Sequence, residues 1–400
     1  MEPLSRARIS QLLAIALVAF NLRPALASVG PLVPEIRAAT GLSNTALGFL
    51  TSLPLLAFAA LSLGAPWVGR RMGIERTLTG ALLLVVAGTG ARGAPSVTLL
   101  YGGTLLLGIG IALANVLLPA LAKRDFAHHS GPITSLYSSA MGLGAGVAAG
   151  VSVPLAGWFG WETALAIWAV PAGFALLVWL PRIRDQSRIG RIRGGGLRSM
   201  LKSPLAWAVA LFMGLQSLSF YVVLTWLPDL LGAAGVGEAE AGWLLALSQA
   251  TGVLGTLLVP LWAGRREDQR RIVWVLALLE VVSLGALLVP DVIPPVLPVA
   301  LLGFVLGGTF GLALTLLLVR AADVESSSDL SGMAQSIGYL LAAVAPPLFG
   351  LLRDLSGGWT VPVVALGGVV AGKVAAGLPA ARARQVGGAP QEGSDESVRS

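Results

Sequence analysis

A chain of 400 residues that is 55% hydrophobic and only 12% charged cannot cover itself as a soluble protein, which needs roughly 25% charge; lipid must cover much of it. With no cysteine, disulfides, thiolate metal sites and thiol nucleophiles are excluded. The only histidines, His128 and His129, adjoin in a polar stretch and do not converge on a metal, so no metal or other cofactor is expected.

Arg6 and Arg8 precede the first apolar run as in a signal peptide, and Ala25-Leu26-Ala27 resembles a cleavage site. The run continues to Val33, beyond a leader's apolar core, so this first helix is read as uncleaved. A spanning helix takes about 20 mostly apolar residues at ~1.5 Å each. Twelve such segments are predicted: 10–34, 43–67, 76–92, 98–121, 132–157, 161–181, 204–231, 239–263, 271–290, 296–319, 330–352 and 359–379.

Arg23 lies near the centre of the first segment. On insertion scales a buried Arg costs about 2.5–3.5 kcal/mol, so it is predicted to face a watery cavity or a partner. It stays charged and presents a planar fork of donors suited to small anions. Pro24 removes a helix hydrogen bond and permits a bend, and Asn21 lies two residues before Arg23. The alternative is a structural Arg bonded to carbonyls or to an acid.

Other polar residues fall at similar depth: Asn115 in the fourth segment, Tyr137 in the fifth and Gln249 in the eighth. Gln216, Ser219 and Phe220 share one face of the seventh, and Gln335 and Tyr339 sit at i and i+4 in the eleventh. Each is either a solute contact or an interhelical pin. Gly142, Gly146 and Gly150, four residues apart in the fifth, suit close helix packing. Glu280 and Lys373, in the ninth and twelfth, are expected to form a structural ion pair, the competing reading being a proton site. Gly367 to Lys373 mimics a phosphate loop, but Val374 stands where Ser or Thr would bind magnesium, so ATP-driven pumping is not indicated.

With the N-terminus placed in the cytoplasm, the cytoplasmic loops and ends hold 22 of the 27 Lys and Arg residues and the opposite side three: Arg37, Arg92 and Arg353. That asymmetry is the positive-inside pattern of an even number of spans and not a nucleic-acid patch. The expected organisation is an all-α polytopic membrane protein: one six-helix bundle over 1–181, a cytoplasmic linker over 182–203, a second bundle over 204–379 and a disordered tail over 380–400. A shift of 194 residues lays Pro34 over Pro228, Gly41 over Gly235 and Gly48-Phe49-Leu50 over Gly242-Trp243-Leu244, an internal repeat with the same turn in each half.

Several segments carry a family likeness: Asn21-Leu22-Arg23-Pro24, Ser28-Val29-Gly30-Pro31, Ala114-Asn115-Val116-Leu117-Leu118-Pro119 and Lys123-Arg124-Asp125-Phe126. In the second half they are Gly214-Leu215-Gln216-Ser217-Leu218, Trp226-Leu227-Pro228 and the run from Ser331 to Tyr339. Through these the chain resembles the major facilitator superfamily and, within it, the cyanate/nitroimidazole transporter family. The superfamily's loop motif is visible from Pro66 to Arg76, including Arg71, Gly73 and Arg76, but Arg70 stands where an acid is usual, so the gating role of that acid is not carried over. The fifth segment also lacks the Gly-Pro pair of the antiporter signature.

The resemblance implies two pseudo-symmetric six-helix bundles, a cavity lined by spans one, four, seven and ten with two, five, eight and eleven beside them, and alternating access. It implies a cyanate-like or nitroimidazole-like solute carried across an inner membrane by a protein with both termini cytoplasmic. The expected partners are that solute and the bilayer, with protons as a candidate co-substrate; the expected state is a monomer. Efflux of amphipathic compounds is the alternative. No membrane-buried His, Cys or paired Asp constellation suggests an enzyme.

Overall fold

The computed structural model describes residues 6–61, 65–126, 130–184, 197–321, 324–383 and 386. His128, His129, most of the 182–203 linker and most of the 380–400 tail lie outside the described residues. The first half comprises α1 (Arg6–Phe20), α2 (Pro24–Ala27), α3 (Val29–Thr40), α4 (Asn44–Leu61), α5 (Ala65–Met72), α6 (Ile74–Ala91), α7 (Val97–Asp125), α8 (Ser130–Phe159), α9 (Trp161–Ala166) and α10 (Ala169–Trp179). The second comprises a short α11 (Leu197–Lys202), then α12 (Pro204–Ala233), α13 (Glu238–Ala263), α14 (Arg270–Ala286), α15 (Val296–Val319), α16 (Val324–Ser356) and α17 (Thr360–Ala380).

α1 to α3 form one interrupted span, and α9 with α10 another, which gives two bundles of six. Eleven described spans are long and apolar enough to cross a membrane. The twelfth, α14, has 17 residues and so reaches only ~26 Å; it carries Glu280. Leu13, Leu177, Leu261, Leu278 and Leu318 are between 59% and 70% exposed. Toward water such a belt would drive aggregation; toward acyl chains it is at home.

The first span breaks where its sequence withdraws helix bonds. Asn21 to Arg23 leave the helix, Pro24 opens α2 without an N–H to donate, and the amide of Asn21 turns back 2.8 Å to the Leu17 carbonyl. The repeat reappears at the turn after the first span of each half, where Gly41 and Gly235 take positive φ of 68° and 85°, a conformation that closes a helix without Cβ strain.

The halves meet along α4–α16, α8–α13 and α3–α12. Gly48 of α4 lies against the backbone of Pro346 and Pro347, and its repeat partner Gly242 of α13 against Ala149 of α8. In the α8 ladder, Gly142 and Gly150 leave room for Val253 and Trp243, while Gly146 has slack beside Gln249.

Candidate functional site

The break in the first span delivers Arg23 to the seam between the halves. Its Nη1 donates to the Tyr221 hydroxyl at 3.4 Å, and its guanidinium carbon stands 5.8 Å from the centre of the Phe220 ring. A cation over an aromatic face gains about 0.5–2 kcal/mol, more as water is excluded. Phe220 and Tyr221 pack edge to face at 5.2 Å on α12. Opposite, Tyr339 of α16 and Phe58 of α4 pack edge to face at 5.1 Å, and Tyr339 is within electrostatic reach of Tyr221 and Arg23. Among the described residues the Arg23 side chain has no carboxylate within salt-bridge distance and makes one hydrogen bond. Most of its donor fork is uncommitted and framed by rings from three helices.

Beyond Arg23 the seam narrows to a space of about 20 Å³ between Leu26, Leu50, Leu55 and Leu224, with Thr51 and Thr225. The two Thr hydroxyls meet across it at 3.3 Å. Further out lies a cavity of about 370 Å³ lined by Pro31, Arg37, Pro228, Asp229, Glu238 and Arg353. There Arg37 of one half and Asp229 of the other pair at 2.7 Å. Asp354, near the end of α16, accepts from the backbone N–H of Thr45 at 2.9 Å and its hydroxyl at 2.8 Å, and from the Asn44 amide at 2.7 Å. One half thus supplies the anionic cap for a helix N-terminus in the other, and the two halves are tied together at this end.

The remaining residues predicted for the site are dispersed. Gln216 is buried and donates to the Leu306 carbonyl at 3.3 Å while accepting from Ser217 at 3.2 Å, which ties α12 to α15 within one half. Asn21 is spent on its own helix. Gln335 bonds Ser331 at 3.1 Å, one turn before Tyr339. Asn115 and Tyr137 are half-buried on α7 and α8, and Gln249 is half-buried in the α8–α13 seam. Lys373 lies 2.5 Å from both carboxylate oxygens of Glu280, and both residues are buried.

In the loop motif, Gly73 precedes α6 with φ 88° and Arg71 and Arg76 are exposed; the side chain of Arg70 lies outside the described residues. Beside the motif, buried Glu75 takes Arg124 at 2.8 Å. Arg124 also binds Asp125 at 2.5 Å, and Asp125 takes the amide of Gln11. Reasoning from sequence missed Tyr221 and Phe58. The available signal was rarity, since there are only four tyrosines in the chain and Tyr221 sits in mid-span, but it steps off the helix face that Gln216 and Phe220 define.

Two six-helix bundles meeting along a seam are the architecture of a carrier of the major facilitator kind, and the model of the Major Facilitator Superfamily matches residues 15–346. The chain belongs to that superfamily and is a secondary active transporter. It is 43% identical over 361 residues to the 2-nitroimidazole transporter of Escherichia coli, covering 89% of this chain and 91% of that one. It is 31% identical over 351 residues to the cyanate transport protein CynX of the same organism, covering 87% and 91%. Within the superfamily it therefore falls in the cyanate/nitroimidazole transporter family. Among solved structures, the inward open xylose transporter XylE from E. coli aligns at TM-score 0.73 and 17% identity, over 93% of this chain and 95% of that one; that likeness concerns the fold.

Proposed function

We propose that this transporter carries a small planar solute with a strong acceptor edge, nitroimidazole-like or cyanate-like, and that Arg23 is its anchor. The observation that carries the reading is an arginine in mid-span with most of its donors free, faced by Phe220 and Tyr221 and near Tyr339. The fork would take a nitro or cyanate edge while the rings stack on a flat solute. At ~4 Å its attraction for an anion is about 1 kcal/mol in water but about 4 in a partly desolvated pocket, so closing the pocket strengthens recognition. The walls of Phe58, Phe220 and Tyr339 favour a flat ring over a bulky amphipathic drug.

In this reading the protein works as a monomer in the inner membrane with both termini in the cytoplasm. The end locked by Arg37–Asp229 and Asp354 then faces outward and the pocket opens inward, in keeping with the Lys and Arg bias. Transport rocks the two bundles about Arg23, and Glu280–Lys373 is a structural pair remote from the solute. The test is counterflow of labelled 2-nitroimidazole and cyanate in proteoliposomes. The native chain is expected to exchange at least one of them and Arg23→Gln neither, with both proteins folded. Exchange by Arg23→Gln at the native rate would refute the anchor.

A further inference from the structure

A second guanidinium lies behind the same break. Charge counting puts Arg92 at a turn outside the membrane core, yet it is 0% exposed. Its Nη1 donates to the Ala25 carbonyl at 2.7 Å, while Nε and Nη2 have no partner among the described residues. Among the described residues no carboxylate pairs with it. Gly103 of α7 lies against the Gly88 carbonyl of α6, and a methyl there would also meet the Arg92 Cγ at 3.2 Å. An unpaired buried charge is destabilising, so packing alone does not account for an arginine here.

What Arg92 grips is informative. Ala25 is the second residue of α2, a four-residue helix held between the Asn21–Arg23 interruption and the turn at Ser28 that leads into α3. Arg23 is the residue before α2, and its carbonyl accepts from Leu26 and Ala27 at 3.1 and 3.0 Å. The rotation of α2 therefore sets the direction in which Arg23 leaves the chain. So short a helix has too few internal bonds to fix its own rotation. A charge-assisted bond from a rigid neighbour supplies the constraint.

We propose that Arg92 is a positioning residue for solute binding, clamping α2 from behind so that Arg23 is held toward Tyr221 and Phe220. The proposal rests on the reading of Arg23 as anchor. Arg92 touches no solute and acts through Arg23 alone.

The test is a double-mutant cycle on the purified full-length protein, with 2-nitroimidazole affinity measured by calorimetry and unliganded melting recorded in parallel. Arg92→Met is expected to weaken affinity about tenfold, the worth of one charge-assisted hydrogen bond. Arg92→Lys, which keeps a donor, should lose about threefold or less on the same basis, with unliganded melting unchanged. In an Arg23→Gln background, Arg92→Met should cost no further affinity, because neither change acts independently.

An additive loss in the double variant would overturn the proposal. So would an Arg92→Met protein that melts lower but binds as the native chain does. If Arg92→Met does not fold, Arg92→Lys decides: native affinity with lowered melting overturns the proposal, and weakened affinity with native melting supports it. Unchanged affinity in Arg23→Gln alone would instead remove the anchor reading, and this proposal with it.

Discussion

The opening spans of the two halves are repeats of each other and differ where it matters. α12 runs unbroken from Pro204 to Ala233, whereas the corresponding stretch is divided into α1, α2 and α3 around Arg23 and Pro24. Shifted by 194 residues, Arg23 and Pro24 fall on Ser217 and Leu218. Both spans end alike, on left-handed Gly41 and Gly235, so the difference is confined to the middle. The continuous helix presents Phe220 and Tyr221 as a fixed wall; the broken one turns a charge into the space before it. Symmetry builds the two bundles, and the departure from symmetry places a charge at their seam, where the proposed anchor lies.

The largest effect is expected at the ion pair of the second half. In the first half, α6 and α10 are joined by the Trp179 indole donating to the Glu75 carbonyl at 3.2 Å; in the second, α14 and α17 carry Glu280 and Lys373. Lys373→Met should destabilise by about 3–5 kcal/mol, because it strands a buried carboxylate, while Glu280→Gln combined with Lys373→Leu should return stability close to native. Thermal unfolding in detergent measures both. If the double variant folds but no longer transports, the structural role assigned to the pair is wrong.

Next comes the break itself. Leu218→Pro imposes on α12 the interruption that the first span tolerates, and should cost about 3 kcal/mol. Pro24→Leu, the reverse exchange, should leave melting nearly unchanged and lower solute affinity. Equal effects on stability would mean that the two spans are interchangeable after all.

The two seams offer a finer contrast. A methyl at Gly48 would meet the backbone of Pro346 at 2.5 Å, whereas at Gly146 the nearest atom is 3.8 Å away. Gly48→Ala should therefore cost about 1–3 kcal/mol from overpacking, and Gly146→Ala should lie within about 0.5 kcal/mol of native.

The smallest effect is expected at Asp354. Asp354→Asn weakens the cap on α4 by about 1 kcal/mol and should shift the carrier toward the state open at that end. Because the chain has no cysteine, the single substitution Thr225→Cys reports this directly, and its labelling by an impermeant maleimide should rise in the Asp354→Asn protein.

The bilayer's demands made much of the fold legible. Apolar length marked the spans, and turn chemistry marked the repeat from Pro34 and Pro228 to Gly48 and Gly242. Arg23 stood out because a charge at that depth is costly. Its ring partners did not, since Tyr221 and Phe58 look like any apolar side chain until helices from both halves are brought together. Gln216 stayed open between solute contact and interhelical pin for the same reason: whether an amide faces the seam or a neighbour such as Leu306 depends on a helix rotation that only packing sets. Arg92 reads as a turn residue because sequence position says nothing of where a long side chain reaches.

Calorimetric titration of purified protein with 2-nitroimidazole and with cyanate tests most directly whether Arg23 holds the solute. The native chain should bind at least one of them, with affinity reduced about 10- to 100-fold in Arg23→Gln, as expected when a hydrogen bond to a charged group is lost, and only partly recovered in Arg23→Lys, which lacks the planar fork. Undiminished affinity in a folded Arg23→Gln protein would contradict the account.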